Sequence, residues 1–143
     1  MFDNFDNIFT WNRLPNGPGW SEYLYSDAVE GDFELSAPQG RDSFAWRVYT
    51  LPNKYRVSVW KFDHPYSNYM ARSAQYQIYH ANGVDTVYVN QASPGDGWIT
   101  LGEYTFDNLN MQRGVLLTDD GSNGMFLADA IKIENIGPPE YYR

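Results

Sequence analysis

The stretch Ala74-Gln75-Tyr76-Gln77-Ile78-Tyr79-His80-Ala81-Asn82-Gly83-Val84-Asp85-Thr86-Val87-Tyr88-Val89-Asn90 decides the fold class. Two runs rich in β-branched and aromatic residues flank Asn82-Gly83. Asn-Gly supplies the positive φ angles of a tight hairpin turn, so the stretch reads as two antiparallel strands. Upstream, Phe44, Trp46 and Val48 alternate with Ala45, Arg47 and Tyr49. After a turn at Leu51-Pro52-Asn53, Tyr55, Val57 and Val59 alternate with Arg56, Ser58 and Trp60. Period-two alternation is what half-buried strands require. Downstream, Trp98 to Phe106 and Gly114 to Thr118 read as strands, and Phe126 to Ile133 as a last, apolar and therefore central one.

The beginning of the chain is less regular. Glu22 to Ser26 and Phe33 to Ser36 are short strand candidates, and Met1 to Thr10 reads as a short arm or first edge strand. Leu14 to Gly19 holds two Pro and two Gly and reads as a loop. Asn135 to Arg143 contains Pro138-Pro139 and is expected to end the ladder. About eight to nine short strands joined by polar turns indicate an all-β chain, an antiparallel sandwich or a barrel. The whole of 1–143 is read as one domain: an N-terminal arm over 1–8, a core over 9–134 and a C-terminal arm over 135–143.

Composition narrows the function classes. The chain has 143 residues, enough for a core without staples, and no cysteine. The formal net charge is -8 and Lys and Arg do not cluster, so a nucleic-acid partner is not expected. No apolar run approaches the roughly 20 residues of a membrane span, and no membrane partner is expected. The opening Met1-Phe2-Asp3-Asn4 has neither the basic nor the apolar region of an export signal, so either the chain is not exported by this route or the sequence is a piece of a longer one; Met before bulky Phe2 fits a native cytosolic start.

Catalytic signatures are missing from the sequence. His64 and His80 stand alone, and there is no Gly-x-Ser-x-Gly, no His-Glu-x-x-His and no cysteine nucleophile. The eighteen acidic residues would let any glycosidase pair be nominated, which makes each nomination empty. The chain is therefore read as a non-enzyme, with no cofactor beyond a weak structural calcium candidate at Asp119, Asp120 and Asn123. That run offers hard oxygen ligands but lacks the spacing and terminal Glu of an EF-hand, and an ordinary polar turn is preferred. Asp129, between two alanines of an apolar strand, is expected in a buried hydrogen-bonded network.

Aromatic residues make up 17% of the chain, and they carry the binding hypothesis. Trp and Tyr rings stack on the C–H faces of sugars while their polar ends stay wet. Trp11, Trp20, Tyr23, Tyr25, Tyr66 and Tyr69 lie in or beside expected loops, and Trp60 takes the outward parity of its strand. Trp98 is expected in the core. Phe2, Phe5, Pro138, Pro139, Tyr141 and Tyr142 mark the two arms as segments expected to lie on the domain itself, on a second copy or, as assembly arms, on another protein.

Tyr55-Arg56-Val57-Ser58-Val59-Trp60, Ala74-Gln75-Tyr76-Gln77-Ile78, Val87-Tyr88-Val89-Asn90-Gln91, Gly97-Trp98, Leu101-Gly102-Glu103-Tyr104-Thr105-Phe106 and Ala128-Asp129-Ala130-Ile131 occur in this order. The series resembles the golvesin C-terminal-like domain, a module also found at the C-terminal end of some xanthan lyases and cell-wall amidases. The resemblance runs from about Phe9 to Glu134. It implies a β-sandwich of jelly-roll type and an accessory role beside polysaccharide- or cell-wall-acting enzymes. Two roles are then weighed. The first is a structural protein of a larger assembly: a phage virion decoration, cement or tail component, homo-oligomeric, on the virion surface. The second is a carbohydrate-binding module, extracellular or at the cell surface, with a glycan as partner.

Overall fold

The computed structural model describes residues 6–9, 13–16, 20–24, 32–36, 43–47, 52–63, 67–106, 114–118 and 124–137, the first four segments by their backbone alone. Their strands are β1 (Asp6–Phe9), β2 (Arg13–Asn16), β3 (Trp20–Leu24), β4 (Asp32–Ser36), β5 (Ser43–Arg47), β6 (Asn53–Lys61), β7 (Ala74–His80), β8 (Gly83–Val89), β9 (Gly97–Phe106), β10 (Gly114–Thr118), β11 (Phe126–Ala128) and β12 (Ile131–Gly137). A short 3₁₀ turn covers Ser67–Tyr69.

Two larger sheets hold nine of these strands. One runs β1-β12-β6-β9 and the other β2-β5-β10-β7-β8, with every pair antiparallel. With β2 set aside as an extra edge strand, each sheet has four strands, and the chain crosses between sheets in the double Greek-key order of a jelly roll. A third, small sheet of order β11-β4-β3 accounts for the remaining strands.

Alternation fills the space between the large sheets. Phe44 and Trp46 of β5, Tyr76 and Ile78 of β7, and Val115 and Leu117 of β10 meet Tyr55, Val57 and Val59 of β6, Phe106 of β9, and Ile131 and Ile133 of β12 in one buried cluster. Phe44 and Trp46 lie with ring centroids 5.0 Å apart, and Trp46 Nε1 donates to the Asp129 carbonyl at 3.2 Å. Truncating a core member such as Leu117 to Ala costs about 2–5 kcal/mol at sites of this kind.

Several boundaries differ from those expected. Arg13–Asn16 is strand, not loop: Pro15 pairs with Phe44 on a sheet edge, where a missing N–H leaves no gap in a ladder. The strand expected from Glu22 to Ser26 is β3 over Trp20–Leu24, so Trp20 begins a strand and Tyr23 lies within it. The run from Phe126 breaks after Ala128, so that β11 joins the small sheet and β12 the large one. Asp129, buried as expected, sits at this switch. β12 continues to Gly137 through a register shift, past the expected end of the ladder.

A second, smaller core lies beside the first: Phe62, Met70 and Leu127, with Trp60, Ala92 and Met125 packed against it. Lys61 and Asp63 fix the loop that follows β8. Lys61 Nζ donates to the carbonyls of Ser93 and Gly95, Gly95 N–H donates to the Asp63 carboxylate at 3.0 Å, and Asp63 N–H donates to Asp96 Oδ1 at 2.8 Å. Backbone carbonyls thus receive a buried ammonium that would otherwise be costly to desolvate.

Candidate functional site

The ladder registers set out the outward side of the five-stranded sheet as three rows. Arg47, Gly114, Tyr79 and Val84 form the first. Ala45, Leu116, Gln77 and Thr86 form the second, and Ser43, Thr118, Gln75 and Tyr88 the third. None of these side chains joins the core, and all are half-buried or exposed except Gly114. On a chain of net charge -8, this face carries amides, hydroxyls and phenols, and Arg47 is the one charged residue in the three rows.

A groove of about 200 Å³ opens in the first row, lined by Ala45, Arg47, Tyr79, Gly114 and Leu116 among others. Its floor is Gly114. A Cβ at this position would lie 2.2 Å from the Trp46 carbonyl oxygen, so the close approach of β10 to β5 requires glycine and leaves the space above it open. Tyr79 forms one wall. Its hydroxyl donates to Gln77 Oε1 at 3.2 Å, which ties the ring's position to the neighbouring row. An aromatic wall, a guanidinium and a line of amides and hydroxyls can grip a hydroxyl-rich ring by stacking and hydrogen bonds together.

The outward side of the four-stranded sheet is the competing surface. Trp60 and Trp98 face each other across β6 and β9, ring centroids 5.1 Å apart at 57°. Trp60 faces away from the main core, as its parity indicated, but packs on the smaller one. Trp98 is half-buried rather than core. Lys132 Nζ sits 4.8 Å from the Trp98 ring centroid, a cation–π contact. Arg56 bridges Glu103 at 3.3 Å and Glu134 at 3.8 Å beside them. The rings here are engaged with one another and with a cation, and the surrounding charges are paired.

Of the other aromatics singled out in the sequence, Tyr69 is 64% exposed on its 3₁₀ turn. Trp20 and Tyr23 are placed by backbone alone, on β3. Trp11, Tyr25 and Tyr66 lie outside the described residues, as do Phe2, Phe5, Pro138, Pro139, Tyr141 and Tyr142 of the arms and the calcium candidates Asp119, Asp120 and Asn123. Among the described residues no three His, Cys, Asp or Glu side chains gather as metal ligands. The sequence reading missed Gly114, Tyr79 and Gln77. A glycine opening a strand was the one signal available, and it does not tell which residues flank it.

Tyr76, Tyr104 and His80 are buried between the sheets. Burial pushes the Tyr76 hydroxyl far above its ordinary range; Gln91, which donates to it at 2.8 Å, opposes this, and Asp129 adds to it. Burial also raises Tyr104, with a further push from Asp85. His80 stacks on Tyr104 at 4.9 Å, accepts the Asn82 N–H at Nδ1, and turns Nε2 to Asp85 at 3.4 Å. No described partner arrangement makes these groups nucleophiles; His80 and Tyr104 fasten the β7–β8 hairpin to β9, and Tyr76 is tied through Gln91 to Leu127.

The topology and the groove define a jelly-roll β-sandwich with one weakly charged, groove-bearing face. The golvesin C-terminal domain family matches residues 11–135, and the chain belongs to that family. Among solved structures, a xanthan lyase from Paenibacillus aligns at a TM-score of 0.80 and 21% identity over 93% of this chain, which is 13% of the lyase chain. The Podospora anserina GH26-CBM35 β-(1,4)-mannanase aligns at 0.69 and 11% identity over 95% of this chain and 29% of its own. At these identities the likeness is one of fold. The chain thus spans a small part of either protein. No curated protein matches it.

Proposed function

We propose that this chain is a non-catalytic carbohydrate-binding module that works beside an enzyme acting on polysaccharide or cell wall, outside the cell or at its surface. The observation that carries this reading is the Gly114-floored groove between Arg47 and Tyr79 on a face of amides and hydroxyls. The groove is small, so one sugar ring enters it and the rest of the glycan runs along the open rows. Membership of the golvesin C-terminal domain family and likeness of fold to parts of two polysaccharide-acting proteins support the same reading. A virion decoration, cement or tail role draws support from neither the family nor the structural neighbours.

Affinity electrophoresis tests the reading. The chain is run in native gels cast with soluble polysaccharides, xanthan and β-(1,4)-mannan first because of the structural neighbours. Retardation in at least one gel is expected, together with its loss in Tyr79→Ala. Unretarded migration across a broad panel of neutral and acidic glycans would sink the reading.

A further inference from the structure

Strand β8 ends the five-stranded sheet, and among the described residues nothing pairs with its outer edge. In an antiparallel ladder, alternate residues turn their N–H and C=O toward the partner strand. The ladder closes at His80↔Gly83 across the two-residue turn Ala81-Asn82, a pair that exchanges both its hydrogen bonds. Asp85, Val87 and Val89 therefore face β7, and Val84, Thr86 and Tyr88 present their backbone groups to the free edge. An unpaired row of this kind is a template for another strand.

The usual protections of an edge are missing from β8. Gly83–Val89 contains no Lys and no Pro, and its register against β7 has no bulge. Its one charge, Asp85, is directed back toward His80 of β7. On the outward face it instead carries two exposed apolar side chains, Val84 at 48% and Tyr88 at 59%. These lie two positions either side of Thr86. Laid antiparallel against itself about Thr86, the strand sets Val84 of each copy opposite Tyr88 of the other, and Thr86 opposite Thr86. Only this centre pairs the two apolar residues with each other. It is also a centre whose hydrogen bonds use the outward-facing backbone groups of Val84, Thr86 and Tyr88. Aromatic–β-branched cross-strand pairs of this type stabilise sheets.

We propose that two copies of the chain join edge to edge through β8, as an antiparallel pair centred on Thr86. The result is a continuous sheet of ten strands, five from each copy. The two-fold axis stands perpendicular to this sheet, so both groove-bearing faces look the same way and a single glycan surface can engage both. That last consequence rests on the proposed function; the pairing does not. Because one strand pair is a small interface and each copy carries -8, association is concentration-dependent and strengthens with salt.

Light scattering on the full chain, across a wide concentration range at low and at roughly 0.5 M salt, tests the proposal. The mass is expected to rise from 16.5 kDa toward twice that value, at lower concentration in the higher salt. Thr86→Pro removes a central donor that β7 does not use and should hold the chain at monomer mass with unchanged far-UV circular dichroism. Val84→Lys, which leaves the backbone intact, should do the same and covers the case in which Thr86→Pro unfolds. A monomer at every concentration and salt, or a dimer untouched by Val84→Lys, overturns the pairing. Glycan retention by the wild-type chain, measured at concentrations where it is monomeric, separates this outcome from failure of the binding reading.

Discussion

Gly114 lies directly opposite Tyr79 in the β10–β7 ladder, and the two line the same groove. Replacing Gly114 by Val would drive a Cβ into the Trp46 carbonyl and push β10 away from β5 at the groove. A loss of roughly 1–3 kcal/mol in stability is expected, as for other overpacked sites, along with loss of glycan retention. Urea unfolding and affinity gels measure the two effects separately. Wild-type stability in Gly114→Val would mean the strands are free to separate, against the close approach described.

Tyr79→Ala and Trp98→Ala should have opposite signatures. Tyr79 is half-exposed and held by Gln77, so its removal should weaken glycan retention about tenfold, or roughly 1.4 kcal/mol. Trp98 packs on Trp60 and under Lys132, so its removal should lower stability by about 1–3 kcal/mol and leave retention near wild type. If retention instead follows Trp98, the binding face is that of the four-stranded sheet.

Gln91 is 3% exposed and holds three groups together. Its Nε2 donates to the Tyr76 hydroxyl at 2.8 Å and to the Leu127 carbonyl at 2.9 Å, while Oε1 accepts the Leu127 N–H at 2.8 Å. Gln91→Leu keeps much of the volume and strands all three partners. The expected cost is roughly 2–4 kcal/mol, read as a lower urea midpoint, since each unsatisfied buried group costs about 1–3 kcal/mol. A change below about 0.5 kcal/mol would show that water replaces the amide.

Alkaline pH should destabilise the fold through Tyr76. Its hydroxyl stays protonated in the folded chain above the ordinary value of 10.0, because burial opposes the phenolate. The unfolded chain ionises there, so above about pH 10 it binds fewer protons than the folded one. This contribution is complete below that pH and falls as pH rises. Urea midpoints at about pH 8 and about pH 11 should differ more in the wild type than in Tyr76→Phe; equal differences would exclude Tyr76 as the source.

Much of the sandwich was legible because burial on one side of a strand writes itself as alternation. Phe44/Trp46 and Tyr55/Val57/Val59 were readable as alternating rows, and all five are buried. Asn82-Gly83 placed the hairpin to within one residue: the turn is Ala81-Asn82, and Gly83 opens β8 at positive φ. Pro15 misled the reading, since a proline excludes a central strand but not an edge, and sequence does not tell edge from centre. The break after Ala128 was hidden for a related reason: residues on both sides of Asp129 are apolar, while the strands join different sheets.

The sequence by itself determined the strand periods, the hairpin, the membership of a β-sandwich family and the lack of a Lys/Arg cluster along the chain. Each of these depends on neighbours a few residues apart or on composition. Only the tertiary structure decided which polar residues share a surface. Arg47, Gly114 and Tyr79 stand in one row because β10 inserts between β5 and β7, joining residues far apart in the chain. It likewise decided that Trp60 and Trp98 are occupied with each other, and that Val84, Thr86 and Tyr88 lie on an edge that no described strand pairs. Side-chain parity is a local property, but the neighbour across a ladder is chosen by topology.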